Sequence, residues 1–123
     1  MTLQELYTSI DGNYDHAVQI MRMEKLIKRY LQKFPNSGVY EALAAAGESM
    51  DPTQLFESAH AMKGVCANMG FDKLSAEVGV ITEEFRGGNP RKLTDAEVKA
   101  RIAEIGVLYQ RTVDGIRQYE QEL

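Results

Sequence analysis

"DPTQLFESAHAMKGVCANMG", residues Asp51 to Gly70, decides how the rest of the chain is read. It opens as a helix start, with Asp51 at the N-cap, Pro52 at the first helical position and Gln54 at the third, a capping-box-like arrangement. Leu55, Ala59, Met62, Cys66 and Met69 then recur at spacings of four, three, four and three. That is the seam of a helix packed against other helices. Gly70 ends it. One residue breaks the pattern. Gly64 stands in the helix interior, one turn beyond His60, where glycine costs about 1 kcal/mol relative to alanine.

The same periodicity extends outward in both directions. Phe71, Leu74, Val78, Ile81 and Phe85 again alternate three and four, until "RGGNP" forbids continuation. The capping box Thr94-x-x-Glu97 opens a last helix carrying Val98, Ile102, Ile105, Tyr109, Thr112 and Ile116. Upstream, Ile20, Met23, Ile27, Leu31 and Phe34 predict one long helix from Tyr14 to Phe34, broken by "FPNSG". A short helix, "VYEALAAAG", follows and leads to Gly47. Ahead of the Gly12-Asn13 turn, "LQELYTSI" is a short amphipathic stretch. Four long helices with this spacing and short turns predict an all-α fold: an antiparallel four-helix bundle with an additional short N-terminal helix.

Size and composition agree. At 123 residues the expectation is a single helical domain over residues 1–123. The net charge is −4 with both signs mixed, and a basic stripe of the kind that binds nucleic acid is missing. No apolar run approaches the roughly 20 residues that span a bilayer, and "MTLQELYTSIDGN" lacks a basic-then-apolar signal pattern. Cys66 is the lone cysteine, so no intramolecular disulfide can form. We expect a cytoplasmic location. Met1 and the polar end "QYEQEL" suggest a complete chain, and apolar stripes used up by the bundle suggest a monomer.

His60 falls at the edge of the seam, about 100° round from Ala59. Phe56, Lys63, Gly64 and Ala67 are its neighbours at i−4, i+3, i+4 and i+7. An accessible imidazole, a cation and a missing side chain together suit nucleophilic work on an anion. A neutral imidazole nitrogen can attack phosphorus directly and carry the phosphoryl group covalently. Lys63 would pair with the oxygens of the transferred group. Gly64 would leave clearance for a partner's active site. A metal site does not fit, because Cys66 lies on another face and no carboxylate stands at i±3 or i±4 from His60. His16 reads as an ordinary polar residue, Cys66 as a small buried one, and Met21, Met23, Met62 and Met69 as core filler.

This segment resembles the histidine-containing phosphotransfer (HPt) domains of bacterial multistep phosphorelays. The resemblance rests on Ala59-His60-Ala61-Met62-Lys63-Gly64, then Asn68 and Gly70, followed by Leu74 and "ITEEFRGG". It runs from the long helix before "KFP" through the final helix. It implies that His60 is the phosphoaccepting residue, Lys63 its charge-stabilising neighbour and Gly64 the clearance. Family members commonly have threonine-leucine where this chain has Ala61-Met62. They often place a glutamine or glutamate on the next helix level with the histidine, and the matching position here is Thr82. In related domains the first helix flanks the histidine and offers apolar residues to the receiver. Leu3, Leu6, Tyr7 and Ile10 would take that part, with Phe56 and Ala67 beside the histidine.

The expected function is therefore a phosphorelay intermediate. His60 would accept a phosphoryl group from the phosphoaspartate of one receiver domain and pass it to another. No "GxxxxGK[ST]" loop occurs in the chain, so we expect no ATP-dependent kinase activity of its own. No cofactor or metal is expected, since receivers supply the metal ion. The expected partners are receiver domains and a hybrid histidine kinase, with neither nucleic acid nor membrane. Two alternatives stand beside this reading: a non-catalytic module that docks receivers, and the phosphoacceptor portion of a histidine kinase.

Overall fold

The stripe at Leu55, Ala59, Met62, Cys66 and Met69 is buried along its whole length, and the other helices assemble around it. The structure is a computed structural model describing residues 1–123. Its elements are α1 (Leu3–Ser9), α2 (Tyr14–Met21), α3 (Glu24–Lys33), a 3₁₀ turn (Phe34–Asn36), α4 (Val39–Ser49), α5 (Pro52–Asn68), α6 (Asp72–Glu84) and α7 (Asp95–Gln121). No strand occurs. Helices α4, α5, α6 and α7 pack in a closed ring, α4 on α5, α5 on α6, α6 on α7 and α7 back on α4. Short connections make ring neighbours antiparallel. The all-α four-helix bundle is as the periodicity predicts, with α1 as the extra N-terminal helix against α7.

One helix differs from expectation. Residues 14–34 do not form a single helix. Arg22 adopts the left-handed conformation (φ 73°) and Met23 is extended, separating α2 from α3. The break directs Ile27, Leu31 and Phe34 into the core while Ile20 and Met23, counted in the same stripe, stay 40% and 53% exposed. The fourth wall of the bundle is instead α4, whose alanine-rich face allows a close approach to α7. A Cβ placed on buried Gly47 would stand 2.8 Å from Ile102 Cδ1, so a larger residue there would have to move the end of that side chain.

Local chemistry explains the helix ends. Thr94 and Glu97 form the full capping box at the start of α7. At α5 only half of the expected box forms: the Asp51 carboxylate accepts from the Gln54 amide at 2.9 Å, whereas Gln54 Oε1 accepts from the Ser49 hydroxyl. Gly70, between α5 and α6, has φ 73°, and a Cβ on it would meet Asn13 O at 2.6 Å and Ala17 Cβ at 2.9 Å. Both the handedness and the close approach of α2 require glycine.

A core of 27 buried apolar residues draws on every helix. An aromatic string crosses it, from Tyr14 to Tyr7 (ring centroids 6.0 Å), Phe71 (5.8 Å), Phe34 (5.0 Å), Tyr109 (5.5 Å) and Tyr40 (5.3 Å). The Tyr7 hydroxyl donates to Met69 O at 2.6 Å, and burial pushes its pKa far above the usual tyrosine value. Burial likewise pushes the Cys66 thiol up to about 12, which makes it unreactive. The loop from α6 to α7 is held by Glu84, whose side chain is 4% exposed. It accepts from Arg91 Nε at 2.8 Å and from the amides of Lys92 and Leu93 at 3.0 and 2.9 Å. Burial opposes its ionisation, but the bonds from Leu93, Arg91 and Lys92 outweigh that and hold its carboxyl below the usual value.

Candidate functional site

Because α5 buries its seam against α4 and α6, its remaining face is presented outward. His60 lies near the middle of that face and is exposed. Of the two histidines, only His16 has a hydrogen-bonded ring nitrogen, its Nδ1 lying 2.8 Å from Asp72 Oδ1. The His60 imidazole instead stacks on Phe56, one turn earlier, with ring centroids 5.5 Å apart and planes at 12°. Arg86 lies over the Phe56 ring, its Cζ 5.2 Å from the ring centroid. Arg86 is itself fixed by Glu83, Nε to Oε2 at 2.8 Å.

Lys63 and Gly64 sit one turn beyond His60. The Lys63 side chain is half-buried, leaning over α6 into a groove of about 840 Å³ that also includes Ala67, Ser75 and Gly79. It belongs to no ion pair, whereas Lys73 on the next helix reaches Asp11 at 3.6 Å. Gly64 is exposed, and a Cβ built on it would have no heavy atom of a neighbouring element within 4 Å. A helix–helix contact therefore does not account for this glycine. The structure brings Phe56, His60, Lys63, Gly64 and Ala67 onto one open face of α5. No three His, Cys, Asp or Glu side chains converge in a way that could hold a metal ion.

One expectation from the sequence is corrected. Leu3, Leu6, Tyr7 and Ile10 are not a docking surface: they are 4%, 0%, 1% and 8% exposed and belong to the core. Leu6 and Ile10 pack against α7 at Gly115, and Tyr7 packs on Tyr14 and Phe71. Thr82, the position level with His60 by family comparison, is fully buried and its hydroxyl donates to Val78 O at 3.2 Å. It faces the core and orients nothing on the outer face. Conversely, the sequence reading missed Phe56 as a stacking partner and missed Gly79 and Arg86 altogether. The i, i+4 spacing of Phe56 and His60 carries the first signal. Gly79 lies on α6 and Arg86 in the turn that follows it, and only packing brings them to α5.

The apolar surface that does remain open near this face lies on the opposite flank of α5. Ile20, Met21, Leu26 and Tyr30 of α2 and α3 line a groove of about 360 Å³ with Val65, Asn68 and Met69. Ile20 and Tyr30 there are 40% and 46% exposed, and Met23, between α2 and α3, is 53% exposed.

The site is thus one exposed histidine on a helical bundle, with a cation and an open glycine in the following turn. Comparison with protein families places it further: the family model described as Hpt domain matches residues 18–118, and the chain belongs to that family. Membership implies histidine phosphotransfer in phosphorelays and interaction with receiver domains and kinases. No curated protein and no solved structure matches the chain. No helix is long and apolar enough to cross a membrane.

Proposed function

We propose that this protein is a phosphorelay intermediate in which His60 is the phosphoacceptor. A receiver's phosphoaspartate donates to His60, and phospho-His60 then donates to the aspartate of a second receiver. The observation that carries this reading is the exposed His60 on α5, followed by a Gly64 that no neighbouring element crowds, in a chain of the Hpt family.

The chemistry is a displacement at phosphorus. The lone pair of a neutral imidazole nitrogen forms the P–N bond as the bond from phosphorus to the aspartyl oxygen breaks, and the carboxylate departs with the electron pair. The other ring nitrogen holds the proton. The transition state is loose and spreads charge over the equatorial oxygens. Lys63, bound to no carboxylate, can swing its ammonium to those oxygens. Gly64 gives the receiver's acidic site room to approach. Both phosphoaspartate and phosphohistidine are high-energy species, so transfer can run either way.

The receiver would dock across α5, using the Ile20, Met23 and Tyr30 surface on one flank, in place of the buried α1. A standard interface takes about 800 Å² from each partner, enough to cover both His60 and that groove. The continuous core from α1 to α7 supports treating residues 1–123 as one unit, read as a cytoplasmic monomer.

The test is incubation with phosphorylated receivers, followed by intact mass measurement at neutral and acidic pH. The expected result is an acid-labile gain of one phosphoryl group that His60→Gln abolishes. No gain with any of several receivers overturns the proposal. His60→Gln that supports signalling as wild type would mark a docking module instead.

A further inference from the structure

An exposed imidazole at the end of a rotatable side chain samples several rotamers, and each misplaced one costs rate. Something must hold the ring. The position on α6 where the family often supplies a hydrogen-bonding side chain is Thr82, which is buried and donates to Val78 O. The His60 ring has no hydrogen-bonded partner of its own. What touches it is Phe56, in a near-parallel stack at 5.5 Å and 12°. This is the offset geometry that aromatic pairs prefer.

Phe56 does not stand free either. It is half-buried against the core, and Arg86 lies over it at 5.2 Å, within the range of a cation–π contact. Arg86 is tied to Glu83 through Nε at 2.8 Å. Phe56 thus contacts both side chains, His60 from its own helix and Arg86 from the turn that follows α6.

We infer that Phe56 is a positioning residue for His60, holding the imidazole plane so that one ring edge faces the approaching phosphoryl group, with Arg86 holding Phe56 in place. An orienting hydrogen bond from the next helix is thereby replaced by an aromatic stack along the same helix. The inference rests on the reading of His60 as phosphoacceptor. It also separates Phe56 from a purely docking part, because a positioning residue affects the maximal transfer rate and a docking residue affects the receiver concentration needed.

The experiment compares wild type, Phe56→Leu and Phe56→Tyr by two readouts. In the unphosphorylated protein, ¹H–¹³C NMR of the His60 ring is expected to show an upfield ring-current shift in wild type and Phe56→Tyr, lost in Phe56→Leu. In single-turnover transfer from a phosphorylated receiver, Phe56→Leu is expected to lower the maximal rate about two- to tenfold, the range an aromatic pair is worth. Its half-saturating receiver concentration stays unchanged, and Phe56→Tyr restores the rate. Arg86→Gln is expected to weaken the ring-current shift in part. The inference is overturned if Phe56→Leu keeps the wild-type His60 shift, or if it raises the half-saturating concentration at an unchanged maximal rate. Failure of His60 to take phosphate at all would sink the phosphoacceptor reading, and the NMR comparison would still report on the stack.

Discussion

The side chain of Lys63 lies across Gly79 of the neighbouring helix: a Cβ placed on Gly79 would be 3.5 Å from Lys63 Cε and 3.7 Å from its Cδ and Nζ. The α6 glycine thus makes a track for the lysine stem, and the ammonium at its end is bound to no carboxylate. Lys63→Ala should slow transfer to His60 about tenfold or more, the worth of a charge-assisted hydrogen bond. Gly79→Ala fits at ordinary contact distance and should be nearly silent. Gly79→Leu should displace the stem and slow transfer in the same direction. Single-turnover rates check this, and the double variant Lys63→Ala/Gly79→Leu should be little slower than Lys63→Ala alone.

Gly64 should show stability and activity moving apart. Its Cβ position is empty, so Gly64→Ala should raise the unfolding free energy by about 1 kcal/mol, the helix-propensity difference. Gly64→Gln should fold as well as wild type and transfer at least several-fold more slowly, because its side chain occupies the partner's space. Denaturant melts and transfer rates on the same preparations decide it. A wild-type rate in Gly64→Gln would remove the clearance argument.

The proposed docking surface predicts a contrast between α1 and α3. Leu6→Ala removes a fully buried side chain and should cost about 2–5 kcal/mol of stability, with receiver affinity unchanged once the protein is folded. Tyr30→Glu and Met23→Glu change exposed residues. They should leave the melting temperature nearly unchanged and weaken receiver binding, as calorimetric titration would measure.

Glu84 predicts a pH dependence. Its folded carboxyl titrates below the usual carboxylate value, so its contribution is present at neutral pH and is lost as the pH falls through that folded pKa. Glu84→Ala should therefore melt lower than wild type at pH 7. The gap between the two should narrow as the pH is taken down through and below the ordinary carboxylate range. Thermal melts across acid pH test this, and a gap that widened on acidification would reverse the sign of the argument.

Much of the fold was legible in the chain because helices bury one face at a fixed period. The seams at Leu55–Met69, Phe71–Phe85 and Val98–Ile116 are all buried as spaced. The same rule misread residues 14–34, since the spacing continues through Arg22 and Met23 although the backbone turns there. Periodicity registers side-chain order and is blind to one left-handed residue. It read α4 as a short helix but did not mark it as a wall of the bundle, although α4 packs on both α5 and α7.

The candidate site divides in the same way. Sequence by itself determined which residues share the outer face of α5, because His60, Lys63 and Gly64 are fixed to one another by the geometry of a single helix. Tertiary structure alone decided what surrounds them: that Gly79 supports Lys63, that Arg86 covers Phe56, that Thr82 points inward and that α1 is buried. Those relations join residues on different helices. They depend on how helices rotate and cross when the core closes, and no local spacing encodes that angle.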